Sequence, residues 1–301
     1  LRRLILEAPG TYHHSMMVGQ LVEAGCEAVG ANALLGRVGS YFHDIGKMRK
    51  QQYFAENQRG KNPHDAIGPY NSASIIKNHV REGVEMAREF NLPDEIVQFI
   101  REHHGTSLIR YFYHKALQEN PDAMESDFRY PGPVPQTRET AICLLADGIE
   151  AASRAMPDTS PARLRGLIQR MINNAFIDGQ LDQCDLTLGD LHRISDAFYK
   201  RLTAFYHHRP EYSDARKSNV GSPRRNSGSS VVVRESSGSP AVAADAPAEP
   251  NANPATEPPF EPEDAGTDLQ RDTPPAAGWS EYMDLDGDRA DLPRLGNLRD
   301  G

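Results

Sequence analysis

His43 and Asp44 stand side by side in the chain. An imidazole nitrogen beside a carboxylate can hold a divalent cation, and the carboxylate can bridge to a second one. A lone His-Asp pair says little. The same dipeptide recurs at His64-Asp65 in a polar stretch, where a solvated role is expected. The first pair differs in its company: His13-His14, His79, His103-His104 and Asp147. Asp147 lies in the nearly all-apolar run 141–149, with no Lys or Arg one turn away on either side. Burying an unpaired carboxylate costs several kcal/mol, roughly, so such a position needs a partner, and a cation is one. A solvated edge or a helix N-terminus is the other way to satisfy it. A histidine taken singly is more often packed or on the surface than a ligand, which is the expectation for His13, His64, His114, His192, His207 and His208. The remaining histidines and the two aspartates are spread over several helices and together suit Fe, Mn, Zn or Co. Thiolates are missing from the set, which disfavours a structural zinc site. More than four candidate ligands point to two ions. Two ions a few ångströms apart activate water and clamp a phosphate for in-line attack.

Helices must position these groups. Pro9-Gly10 reads as a stop, with Thr11 as the cap of a helix through Met17, Val18, Leu21, Val22 and Val29 that Gly30 closes. Asn32 reads as the cap of a second helix through Phe42. Residues 48–66 read as a long polar loop, and loops of that length are commonly functional or disordered. Further helices are expected near 68–78, 81–90, 94–104, from Thr106 or Ser107 to about 118, from Thr137 through Ala152, and near 160–176 and 187–207. No stretch alternates with period two, so the expected fold class is all-α. One helical domain over 1–212 is expected, followed by a disordered tail over 213–301.

Composition supports that division. The chain has 301 residues and a formal net charge of −9, yet beyond residue 213 there are 16 acidic against 9 basic residues. The helical part is therefore close to neutral, which argues against a duplex nucleic acid partner needing a basic stripe. The tail is rich in Ser, Gly, Ala, Pro and acid, with one short aromatic stretch at 279–285 that is either a docking peptide or unpaired chain. No apolar run reaches the ~18 residues of a membrane span. Cys26, Cys143 and Cys184 form no close pair, which fits a reducing, cytoplasmic setting. The chain opens directly into a helical pattern, without a start Met or signal peptide, and reads as a piece of a longer protein.

The order His, His-Asp, His, His-His, Asp on a helical chain resembles the HD-domain metal-dependent phosphohydrolases. The wording is more specific. Glu7-Ala8-Pro9-Gly10-Thr11-Tyr12-His13-His14-Ser15, Tyr41-Phe42-His43-Asp44-Ile45-Gly46-Lys47, Glu56-Asn57-Gln58, Asn62-Pro63-His64-Asp65, His103-His104-Gly105-Thr106 and Phe128-Arg129-Tyr130-Pro131-Gly132-Pro133 are similar to the cytoplasmic HD domain of PgpH-type seven-transmembrane receptors. That family is one of cyclic di-AMP phosphodiesterases. No Gly-Tyr-Pro accompanies the paired histidines, so the chain does not resemble the cyclic di-GMP branch.

The resemblance, which covers 1–212, implies an HD-domain helical bundle holding two divalent ions, Fe or Mn. It implies His14, His43, Asp44 and Asp147 around one ion, with Asp44 bridging to a second held by His79 and His103, and His104 a ligand or close to it. His14 is favoured over His13 because the family motif uses the second histidine of the pair. The implied reaction is hydrolysis of cyclic di-AMP to linear pApA by a metal-bridged hydroxide. The implied setting is the inner face of the plasma membrane, below an upstream membrane anchor that this chain lacks. A homodimer is compatible with the sequence. Lys47, one turn past Asp44, is placed to reach the phosphate or protonate the leaving oxygen, or to answer the helix dipole. Lys61, Arg81 and Arg138 are candidate substrate cations, and Tyr130 either stacks on a base or packs in its turn. Two rivals remain: an HD hydrolase of a nucleotide monophosphate or guanosine alarmone, and a non-catalytic nucleotide-binding signalling domain.

Overall fold

The computed structural model describes residues 1–58 and 60–206. The expected tail over 213–301, the aromatic stretch at 279–285, the last residues of the expected domain and His207 and His208 lie outside the described residues.

The described chain is helical, and the core is built around α2 (Pro9–Val29) and α7 (Arg138–Ala155). Helix α2 buries Thr11, His14, Ser15, Val18, Leu21, Val22, Cys26 and Val29, a stripe at the helical period. Helix α7 is buried almost all round, as its apolar run requires. Val18, Leu21 and Val22 meet Ile142, Leu145 and Ile149 in one cluster, joined by Ile168 and Ile172 of α8 (Pro161–Ile177) and Ile194 and Phe198 of α9 (Leu188–Tyr206). Each such side chain contributes about 1.5–3 kcal/mol by leaving water. A second cluster joins Leu4 of α1 (Arg2–Glu7) to Ile45, Met48, Met86 and Ile100. The last two lie on α4 (Pro69–Glu89) and α5 (Asp94–Glu102). A third sits under α6 (Arg110–Glu119) around Phe112 and Phe128.

The local signals act largely as read. Gly30 ends α2 in the left-handed region at φ 71°. Asn32 caps α3 (Ala33–Phe42) by accepting the Leu35 N–H at 3.0 Å. Thr137 and Thr140 form a reciprocal capping box at α7. Four expectations need correction. Pro9 opens α2 instead of ending a segment, because a proline at the first helical position gives up no hydrogen bond. The expected pair of helices at 68–78 and 81–90 is the single helix α4, since nothing between Ile76 and Glu82 breaks it. The helix expected from Thr106 or Ser107 starts at Arg110. There, Ile109 N–H donates to the Phe128 carbonyl and Tyr130 N–H to the Ser107 carbonyl, a short antiparallel pairing that holds the segment extended. The expected loop at 48–66 is wound into 3₁₀ turns at Ile45–Tyr53, Ala55–Asn57 and Pro63–Ala66. No helix of the described residues is long and apolar enough to cross a membrane.

Candidate metal centre

Five helices deliver the predicted ligands to one point. His14 comes from the buried stripe of α2, and His43-Asp44 follow the last turn of α3. His79 comes from the middle of α4, His103-His104 from the end of α5, and Asp147 from α7. A Cβ added to Gly46 would collide with the His79 carbonyl oxygen and the Gly83 backbone. The missing side chain therefore lets α4 lie directly against the Asp44 turn.

Asp44 is the centre of the arrangement. Its Oδ1 lies 3.3 Å from His79 Nε2 and 3.4 Å from His103 Nε2. Its Oδ2 lies 3.2 Å from His43 Nε2 and 3.6 Å from His14 Nε2. Each oxygen thus faces a different pair of imidazoles. Asp147 Oδ1 lies 2.9 Å from His14 Nε2 and 3.7 Å from His43 Nε2, and its Oδ2 lies 3.5 Å from His104 Nδ1. Two sets of ligand atoms result, Asp44-His79-His103-His104 and His14-His43-Asp44-Asp147, each within 4.8 Å internally. His13, by contrast, is exposed.

The ring nitrogens test whether this set fits a cation. His43 Nδ1 donates to the Ser40 carbonyl at 2.6 Å, His79 Nδ1 to Ile76 at 2.5 Å and His103 Nδ1 to Ile100 at 2.9 Å. A carbonyl only accepts, so each Nδ1 carries the proton and, in the neutral ring, each Nε2 presents a lone pair. His79 Nε2 and His103 Nε2 then face each other at 3.2 Å, and both face a carboxylate oxygen. His43 Nε2 is buried without a hydrogen-bond partner. Lone pairs and carboxylates converging out of water repel one another, and a divalent cation is the group that reverses the sign. This cluster has the donor chemistry for divalent metals.

Burial and neighbours set the charge states. Burial, and then His43, lower His103 to about 4, and burial, and then His103, lower His104 well below the usual histidine range, so both stay neutral. Burial opposes charge on His14, but Glu150 and Asp147 outweigh it and hold it at about 9. Burial opposes charge on Asp44 and on His43 too, yet each offsets it for the other: Asp44 raises His43 well above the usual histidine range, holding on Nε2 a proton that a cation would displace, while His43 and Lys47 keep Asp44 well below the usual carboxylate range. Lys47 Nζ lies 2.7 Å from Asp44 Oδ2 and 3.1 Å from Glu56 Oε1. These carboxylates overcome its burial and raise it above the ordinary lysine value.

A cavity of about 1060 Å³ opens over the centre. Its walls include Lys47, Phe54, Tyr130, Arg110, Arg154 and Arg170. Tyr130 is buried and stacks on the His104 ring at 4.2 Å between centroids. The other three substrate candidates do not line this cavity. Lys61 is exposed, Arg81 pairs with Glu85 at 3.8 Å, and Arg138 donates to the carbonyls of Asp185 and Val29. Arg110, Arg154 and Arg170 stand in the wall instead. His64 also departs from expectation: it is buried, not solvated, with Nε2 2.9 Å from the Tyr53 carbonyl and its ring between Tyr53 and Phe112.

Residues to which the sequence assigned no role stand just behind the candidate ligands. Thr11 Oγ1 donates to Glu56 Oε1, and Asn57 Oδ1 accepts the Gly10 and Thr11 N–H groups, tying the 3₁₀ loop to the start of α2. Gln180 accepts the Thr106 N–H and donates to Thr106 Oγ1, holding the turn after His104. Glu150 and Arg154 bracket His14. Thr11, Glu56, Asn57 and Thr106 lie in the motifs that carry the resemblance, and Glu150 and Arg154 recur with Asp147 at three- and four-residue spacing on one helix face, whereas Gln180 left no signal.

Comparison with known proteins adds to this geometry. The HD domain model matches residues 11–152. The chain is 47% identical over 218 residues to the cyclic-di-AMP phosphodiesterase PgpH of Bacillus subtilis and 45% identical over 215 residues to that of Listeria monocytogenes. Those matches cover 72% and 71% of this chain but 31% and 30% of the relatives, so the chain spans about a third of the length of the curated relatives it matches. The crystal structure of the L. monocytogenes phosphodiesterase PgpH HD domain in complex with cyclic-di-AMP superposes with a TM-score of 0.68 at 44% identity, covering 70% of this chain and 98% of that one.

Proposed function

This chain belongs to the HD-domain family as a PgpH-type member, and from that premise we propose that it is a metal-dependent phosphodiesterase that hydrolyses cyclic di-AMP to linear pApA. The observation that carries the reading is Asp44, whose two oxygens face separate imidazole pairs in one cavity. His14, His43, Asp44 and Asp147 would hold one divalent ion, and Asp44, His79, His103 and His104 a second, Fe or Mn by family. Bound there, the ions would supply an activated water and neutralise charge on the phosphate.

The chain's own residues do the rest. The backbone carbonyls of Ser40, Ile76 and Ile100 fix three imidazoles with Nε2 inward. Lys47, held by Asp44 and Glu56, keeps its proton and places a fixed positive charge beside the scissile phosphate. That favours a charge role over proton donation to the leaving oxygen. Arg110, Arg154 and Arg170 offer further positive charge to a substrate with two phosphates, and Tyr130 and Phe54 offer ring faces to its bases. The resemblance to PgpH supports a setting on the cytoplasmic side of the plasma membrane.

Turnover by the purified chain in Mn²⁺ or Fe²⁺ tests this. Cyclic di-AMP is expected to give pApA, faster than cyclic di-GMP, nucleotide monophosphates or guanosine alarmones are turned over. Asp44→Ala is expected to abolish hydrolysis while leaving the helical circular dichroism signal. Faster turnover of another nucleotide, binding without turnover, or full activity in the variant would each defeat the proposal.

A further inference from the structure

We propose that Glu150 is a positioning residue for the cation at His14, His43, Asp44 and Asp147, acting by accepting the Nδ1–H hydrogen bond of His14 and keeping Arg154 from that nitrogen. The inference rests on the two-cation reading above.

The four central imidazoles are not held alike. His43, His79 and His103 donate Nδ1–H to carbonyls of their own backbone, three residues back. His14 has a side-chain partner instead. Its Nδ1 donates to Glu150 Oε2 at 2.5 Å, across 136 residues of sequence. With Nδ1 kept as the donor, Nε2 is the nitrogen that would give up its proton to a cation, and it faces Asp44 and Asp147 at 3.6 and 2.9 Å. A carboxylate behind a ligand histidine fixes its tautomer and orientation and raises its basicity.

Arg154 makes Glu150 decisive. Its Nη2 lies 2.6 Å from each Glu150 oxygen and also 3.1 Å from His14 Nδ1. A guanidinium only donates. Were Glu150 absent, Arg154 would donate to Nδ1, and the proton would move to Nε2. That tautomer has a ready second bond, because Nε2–H would donate to Asp147 Oδ1, already 2.9 Å away. The lone pair needed by the cation would then be lost. Glu150 therefore does two things at once: it claims the Nδ1 proton and it occupies the competing arginine. Asp147, Glu150 and Arg154 share one face of α7, so one helix supplies a ligand, its neighbour's anchor and the arginine that anchor restrains. Arg154 also lines the cavity, so the same ion pair touches both the metal centre and the substrate space.

Mn²⁺ binding, followed by titration calorimetry and by metal content after dialysis, tests this on the full chain without reference to activity. The wild type is expected to take up two ions. Glu150→Ala is expected to keep one ion at wild-type affinity and to bind the other about 10–100-fold more weakly. Glu150→Gln, whose carbonyl still accepts the Nδ1 proton, is expected to lose less than the alanine variant. Glu150→Ala combined with Arg154→Ala is expected to recover much of the lost affinity, since the competing donor is gone. A merely structural role for Glu150 would not be relieved by a second truncation. Circular dichroism of the metal-free variants checks folding, and Glu150→Met, which retains volume, replaces alanine if that variant does not fold. Two ions bound at wild-type affinity in Glu150→Ala, equal weakening of both, or no recovery in the double variant would each overturn the inference. Fewer than two ions in the wild type would instead defeat the two-cation reading.

Discussion

Lys47 enters the centre with its proton and keeps it. Its ammonium lies between Asp44 and Glu56, and their charges outweigh the cost of burial. A group held above the ordinary lysine value is a poor acid at neutral pH but a dependable charge. Lys47→Met is therefore expected to lower kcat by about 10²–10³, the usual cost of losing one preorganised charge at a transition state. Lys47→Arg is expected to restore part of it. The alkaline limb of the wild-type rate profile is not expected to report this lysine. Steady-state kinetics across pH checks both statements, and near-wild-type kcat in Lys47→Met contradicts them. At this scale the candidate ligands were legible, because imidazoles and a carboxylate in apolar helical runs lack a cheaper explanation. Lys61, Arg81 and Arg138 were chosen by charge alone, and charge does not tell a cavity arginine from one holding a helix end, as Arg138 does.

Helix packing decides whether those ligands converge. Helix α4 runs unbroken past His79, and Gly83 in its interior meets Gly46 backbone to backbone. Gly46 has no room for a methyl group, and what it would strike is main chain, which cannot swing aside. Gly46→Ala is expected to push α4 away from the Asp44 turn, costing about 1–3 kcal/mol of stability by overpacking. It is also expected to weaken the ion held by His79 and His103 more than the one held by His14 and His43. Chemical denaturation and Mn²⁺ titration read the two effects, and unchanged stability would show that α4 has slack there. The sequence revealed a glycine after His-Asp but not its contact, because that contact pairs two segments distant in the chain. The misplaced break in α4 has a related cause: local pattern sees no reason to continue through a polar stretch, whereas burial of His79 and Val80 against the core supplies one.

The whole molecule folds around a centre crowded with buried ionisable groups. His14, His43, Asp44, His79, His103, Asp147 and Glu150 are all buried, while the main apolar cluster is assembled by α2, α7, α8 and α9. A cation that binds only the folded chain stabilises it by about 2.7 kcal/mol at a free concentration one hundred times its dissociation constant. Chelation is therefore expected to lower the thermal midpoint by several degrees while leaving helicity at room temperature nearly intact, since the apolar cluster holds without the ions. Calorimetry with and without chelator measures this. An unchanged midpoint would mean that no cation contributes to the folded state. By itself the sequence determined the fold class and singled out the candidate ligands and their order, because helical periodicity and the donor chemistry a cation demands are local properties. Only the tertiary structure decided which oxygen of Asp44 faces which imidazoles, which arginines reach the cavity, and that His14 leans on Glu150. Those are relations between residues far apart in sequence, and packing alone brings them within bonding distance.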